Sequence, residues 1–274
     1  MPKRRTLLLN HPAFSVERVE SLMTDAQWSP VYQVASCRWV LPQRGLTEFR
    51  WGEHMGLLDG ISVLWLPTGV PYQMQQTQQG QPRQRLVGDV DSKIVISLPA
   101  DFAAAVAAPR MGWLSARVQW QLRRQWRALT RDAPVERAVS SLAVSQFLGM
   151  ALRAPMMSVP PTMHPCIHGV KCDIARRVGS LDGQRWSLQN VADAQGLSLF
   201  YLARLFKAQT GMTLHTYRQQ LRLAMALQCL QSDMENLADL AAGLGYSSQS
   251  HMGFAFQREL GVTPAQARLA LMDS

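Results

Sequence analysis

A stretch near the C-terminal end of this chain repeats itself about fifty residues later. Leu188, Ala192, Gly196 and Ser198 recur as Leu237, Ala241, Gly245 and Ser247, and Phe206, Gly211 and Thr213 recur as Phe256, Gly261 and Thr263. The offset grows from 49 to 50 between the two sets, so the second copy carries one extra residue after its turn glycine. Each copy reads as a short helix, a turn containing glycine, a second helix and a glycine cap before a threonine. That is the pattern of a helix-turn-helix, whose second helix fits a DNA major groove. Two copies in register confine this half of the chain to an all-α fold with two such helices.

Between the copies, Thr213 to Gln231 contains neither Gly nor Pro, and its 19 residues predict one helix. At about 1.5 Å per residue it is roughly 28 Å long, against roughly 34 Å between successive major-groove faces. Leu214, Tyr217, Leu221 and Ala224 share one side, and Leu223, Leu227 and Leu230 widen it. So broad an apolar arc predicts a helix packed against both lobes.

These residues resemble the double helix-turn-helix domain of the AraC/XylS family of bacterial transcription regulators. The resemblance runs from about Pro165 to Leu271 and includes SLQNVADAQGLSLFYLARLFKAQTGMTLHTYRQQLRLAMAL and LADLAAGLGYSSQSHMGFAFQRELGVTPAQAR. It implies a DNA-reading C-terminal domain attached to a dimerising or effector-sensing domain. Its implied partners are double-stranded promoter DNA, RNA polymerase, a small-molecule effector and a second copy of the chain. It implies no cofactor.

In the first copy, Ser198 has the hydroxyl an N-cap requires. Leu202, Leu205 and Phe206 fall on the core face. By the resemblance, Phe200, Ala203 and Arg204 face base edges, and Lys207 faces a phosphate. Arg204 has the planar fork that grips guanine. In the second copy Ser247 or Ser248 is the cap, and Met252, Ala255 and Phe256 turn inward. Ser248, Gln249, Ser250 and His251 form the first exposed turn, with Gln257 and Arg258 as phosphate contacts further along. Gly253 and Phe254 depart from the family pattern, which favours polar or basic residues there; Phe254 matches Arg204 at the fifty-residue offset. Phenylalanine can touch a thymine methyl but forms no hydrogen bond to a base. Base readout is therefore expected to lean on the first copy.

The first hundred residues read as β-rich, with runs at Tyr32–Val40, Leu46–Trp51, Gly60–Leu66, Leu86–Gly88 and Lys93–Leu98 between Pro, Gly and Asp clusters. Many short strands suggest a small barrel or sandwich. Helices are expected over Asp101–Ala107, Met111–Leu129 and Val135–Arg153. APMMSVPPTMHP, with four prolines in twelve residues, reads as a linker. The expected fold is thus α+β with two domains: a cupin-like β-barrel plus helices over 1–153, a linker over 154–165, and the all-α double helix-turn-helix over 166–274. Trp39, Phe49, Trp51, Trp65 and Tyr72, large and on expected strands, are candidate linings of an effector pocket; plain core is the alternative for each.

Charge does not single out the DNA-reading half. The chain carries a formal +9, but residues 1–153 hold 18 Lys and Arg against 11 Asp and Glu, and residues 154–274 hold 10 against 8. Individual placement of Arg and Lys must carry any recognition. The four cysteines show no disulfide framework. No long apolar run suits a membrane, and MPKRRTLLLN is too short in apolar residues for a signal segment, so a cytoplasmic location is expected.

A catalytic cupin needs an H-x-H pair with further ligands, and His54 has no such partner. His11 is likewise unaccompanied, and no Ser/His/Asp arrangement, Walker loop or dinucleotide fingerprint is found, so no enzymatic role is expected. HPCIHGVKC gathers His164, Cys166, His168 and Cys172 within nine residues, donors that suit zinc or copper(I), which leaves metal or redox sensing as the alternative mode of regulation. The helix from Met111 interleaves Arg117, Arg123, Arg124, Arg127 and Arg131 with Trp113, Trp120 and Trp126. Packing or a dimer interface is favoured there over nucleic-acid contact.

Overall fold

Along FSVERVESL, Phe14 and Val16 are buried while Ser15 and Glu17 are only half-buried, the alternation of a strand with one face on the core. This computed structural model describes residues 3–11, 14–22, 28–33, 35–76, 90–98, 109–131, 156–157, 163–181, 186–231 and 236–272. The chain divides into two compact units, a β-rich one and a helical one spanning Pro160–Met272.

The β-rich unit contains β1 (Lys3–His11), β2 (Phe14–Leu22), β3 (Cys37–Arg44), β4 (Thr47–Trp51), β5 (His54–Leu58), β6 (Ser62–Leu66), β7 (Gln73–Gln76), β8 (Val90–Leu98), β9 (Arg110–Trp113) and β10 (Met156–Met157). Seven form one antiparallel sheet in the order β1-β2-β8-β3-β6-β9-β10, and three form a second in the order β5-β4-β7. In the described residues the outer strands β1 and β10 do not pair with each other, so the large sheet is open rather than closed into a barrel. β6, SVLWL, is buried throughout because it lies between β3 and β9. Val40, Leu64 and Leu66 of the large sheet pack with Phe49 and Leu58 of the small one, and with Tyr72.

The expected helix from Met111 begins later. Met111–Trp113 belongs to β9, where Met111 pairs with Leu64 and Gly112 with Val63. A short apolar run fits either state, and here pairing with β6 decides it. Helix α1 (Ala116–Arg131) follows, with Ser115 Oγ accepting from Val118 N at 3.3 Å. It buries Trp120 and Leu122 and leaves Arg117 and Arg124 exposed, Arg124 lying over the Trp120 ring at 5.7 Å. Within the prolyl segment, Met156 and Met157 pair with Gly112 and Met111. The expected elements at Leu86–Gly88, Asp101–Ala107 and Val135–Arg153 lie outside the described residues.

The helical unit comprises α2 (Pro165–Gly179), α3 (Leu188–Ala194), α4 (Leu199–Thr210), α5 (Leu214–Cys229), α6 (Leu237–Gly243), α7 (Gln249–Leu260) and α8 (Pro264–Met272). α2 starts on an N-cap from His164 with Pro165 in its first turn, where a missing N–H is harmless. α5 is 16 residues long, about 24 Å. It buries Leu214, Tyr217, Leu221, Leu223, Ala224 and Leu227. Thr213 caps its start, and it ends at Cys229 with Leu230 as the C-cap rather than running on to Gln231. Among the described residues no helix is long and apolar enough to cross a membrane.

Candidate nucleic-acid interface

Helices α4 and α7 are each 12 residues long and begin and end alike. Ser198 Oγ accepts from Tyr201 N at 3.2 Å, and Ser248 Oγ accepts from His251 N at 3.0 Å. Each satisfies an amide that has no partner inside the helix. At the other end Gly211 (φ 74°) and Gly261 (φ 76°) take the left-handed conformation that a side chain resists. The first helices of the motifs, α3 and α6, keep the offset of 49, whereas α4 and α7 are 50 apart. The extra residue therefore sits in the turn between Gly245 and Ser248. Ser247 instead meets His251 Nδ1 at 2.9 Å.

Leu202 and Phe206 of α4 are buried, as are Met252, Ala255, Phe256 and Leu260 of α7. Leu205, expected in the core, is half-buried. At about 100° per residue, the direction farthest from the buried stripe falls at Arg204 in α4. In α7 it falls between Ser250 and Phe254. Phe200 is 73% exposed and Phe254 66%, unusual values for phenylalanine. Arg204 lies over the Phe200 ring at 5.8 Å. Lys207, Gln249, Ser250, His251 and Gln257 are exposed; so is Arg258, whose Nε donates to Glu259 Oε1 at 3.0 Å. Ala203 and Gly253 are half-buried flanking positions.

The helix between the motifs adds side chains that the repeat did not point to. Arg222 lies over the Tyr246 ring at 5.3 Å, and Gln219 Nε2 donates to the Tyr246 hydroxyl at 3.3 Å. Burial pushes the Tyr246 phenol up to about 12. His251 packs edge-on against the same ring at 5.4 Å. Arg218 lies over Trp186 at 5.3 Å, and burial lowers its guanidinium pKa. His215 is held below the usual histidine range by burial and then by Arg218, Arg258 and Arg222. Tyr201, 54% exposed beside Phe200, also lies outside the sequence expectation, although its place in the first exposed turn is a signal for it.

Residues 191–270 match a family model described as a helix-turn-helix domain. The C-terminal unit carries an AraC-type helix-turn-helix domain. Among the chain's relatives, the HTH-type transcriptional regulator MtrA of Neisseria gonorrhoeae is 30% identical over 83 residues, 30% of this chain and 28% of MtrA. The HTH-type transcriptional activator RhaR of Klebsiella pneumoniae subsp. pneumoniae is 33% identical over 81 residues, 30% of this chain and 29% of RhaR. The chain thus spans under a third of the length of these curated relatives. Among solved structures, ToxT from Vibrio cholerae O395 aligns over 96% of this chain and 100% of its own at 10% identity, with a TM-score of 0.37. The C-terminal domain of AraT from Geobacillus stearothermophilus aligns over 40% and 89% at 26% identity, also with a TM-score of 0.37. Scores this low support no inference about the present chain.

Outside the AraC-type domain, the five aromatic candidates do not line one space. Phe49 and Trp51 stack at 5.0 Å and share the core between the sheets with Tyr72. Trp39 and Trp65 pair edge-to-face at 5.4 Å across β3 and β6. Strand alternation puts both on the opposite face from Val40, Leu64 and Leu66. His54 stacks on Trp51 at 5.1 Å.

The His/Cys segment is also dispersed. His164 Nδ1 accepts from Cys166 N at 3.2 Å as the α2 cap, and Cys172 is buried with its Sγ 3.8 Å from His168 Nδ1. Burial raises the Cys166 thiol above its ordinary pKa. Among the described residues no three His, Cys, Asp or Glu side chains gather to hold a metal, because the helix uses His164 and Cys172 for capping and packing.

Proposed function

We propose that this chain is a sequence-specific DNA-binding transcription regulator whose helices α4 and α7 enter successive major grooves. One observation carries the reading. In two motifs with the same caps and the same buried phenylalanine, the residues turned farthest from the core are the ones that differ. Phe200, Ala203 and Arg204 of α4 face base edges, with Lys207 on a phosphate. Ser248, Gln249, Ser250 and His251 face the second groove, with Gln257 and Arg258 on its backbone. Arg204 supplies the guanine contact. The β-rich unit senses a small molecule or pairs two copies, and the aromatic core around Phe49, Trp51 and Tyr72 is the effector side. The chain acts in the cytoplasm as an activator through RNA polymerase and is not an enzyme. RhaR, named an activator, supports that sign of regulation.

The test is selection of bound sequences from fragmented genomic DNA by the full-length protein, followed by footprinting. An asymmetric site protected across two adjacent major grooves on one face is expected. No enrichment, with or without cell extract as a source of effector, overturns the reading.

A further inference from the structure

Phe254 lies on the outward face of α7, while three of its neighbours, Met252, Ala255 and Phe256, are buried. At 66% exposed it is not part of the protein's own core. A single exposed ring is ordinary on a protein surface; what distinguishes this one is its place on the polar face that the proposed function turns toward DNA, among exposed Ser250, Gln257 and Arg258. In the repeat it occupies the position of Arg204, the most outward residue of α4. Its neighbour Gly253 has negative φ, and a Cβ built there would meet no atom within 4 Å. Nothing within the fold therefore calls for glycine. The bare backbone beside the ring makes a low apolar step between Ser250 and Gln257.

Resting on the DNA-reading function proposed above, we infer that Phe254 reads the 5-methyl group of a pyrimidine in the second half-site. Thymine and 5-methylcytosine carry that methyl on the major-groove edge, where an aromatic ring covers it without needing a hydrogen bond. The glycine lets the helix approach closely enough for the ring to reach the methyl. The first half-site is then read by charge-assisted hydrogen bonds and the second by apolar shape.

The test uses the full chain and duplexes bearing its selected site. Each thymine of the second half-site is replaced singly by deoxyuridine, which removes only the methyl. One position is expected at which binding weakens about fourfold, the factor for burying one methyl-sized group. Phe254→Ala should bind the two duplexes equally, and Phe254→Leu should keep part of the preference. At the same position, 5-methylcytosine binding more tightly than cytosine shows that the methyl alone is read; equal binding restricts the contact to thymine. A flat uridine profile, or an unchanged preference in Phe254→Ala, overturns the inference. So does a Phe254→Ala variant that loses reporter activation with its uridine profile intact, which would assign the ring to a protein contact. If the wild-type chain selects no DNA at all, the DNA-reading function fails first and this inference with it.

Discussion

Helices α4 and α7 bury Phe206 and Phe256, start on serine hydroxyls and stop on left-handed glycines, yet at the most outward position one carries Arg204 and the other Phe254. The shared residues are those that capping and packing require in any chain folded this way. The divergent ones touch little inside the domain, so the fold leaves them free to differ. Divergence between the copies thus locates the binding face, and its chemistry assigns the roles: a hydrogen-bonding fork in the first copy, an apolar ring in the second.

The comparison can be broken first at its shared skeleton. Phe206→Ala and Phe256→Ala should each destabilise the protein by about 3–5 kcal/mol, since each empties a fully buried site. Denaturant unfolding should show losses of similar size; a negligible loss for one would mean the two cores are not equivalent. Next in size is the difference in readout. Arg204→Ala should weaken binding to the selected site by about 1–3 kcal/mol and relax base preference in the first half-site. Competition binding would show the reverse pattern, preference kept by Arg204→Ala and lost by Gln249→Ala, if the roles were misassigned.

Smaller effects sharpen the same picture. Ser198→Ala and Ser248→Ala should each cost about 1 kcal/mol of stability. Ser247→Ala should cost clearly less, because Ser248 is the cap; thermal unfolding of the three variants decides whether the extra residue lies in the turn. Gly253→Ala should stabilise the protein by up to about 1 kcal/mol, a helical glycine being unfavourable and the added Cβ unopposed. A loss of stability there would reveal a constraint on Gly253 that packing does not show.

The smallest effect concerns pH. His215 has a pKa lowered from 6.5 in the folded chain, so the unfolded chain takes up the proton first and stability falls as the pH drops below 6.5. His215→Gln should flatten that part of the stability profile.

Much of the helical unit was legible because a repeat reports on itself. Phe206 and Phe256, Gly211 and Gly261, and the capping serines each appear twice, and each has a local physical cause. The choice between Ser247 and Ser248 was not legible, since both offer a hydroxyl and only the geometry of the turn selects one. The sheets were harder to read. β1 and β2 are not legible in the sequence because Lys3–His11 owes its state to β2, and β2 in turn to β8, both partners across a sheet. Met111–Trp113 was misread as helix for the same reason. The split of Trp39 and Trp65 from Phe49, Trp51 and Tyr72 depends on which sheet face each occupies, which size and β-propensity do not encode.

The account's central claim is that the two copies read DNA by different means, and methylation interference at guanine N7 across the selected site tests it most directly. Interference is expected at a guanine in the half-site under α4 and is lost in Arg204→Ala, whereas the pattern under α7 is unchanged by that substitution. Interference confined to the α7 half-site, or unchanged by Arg204→Ala, would contradict it.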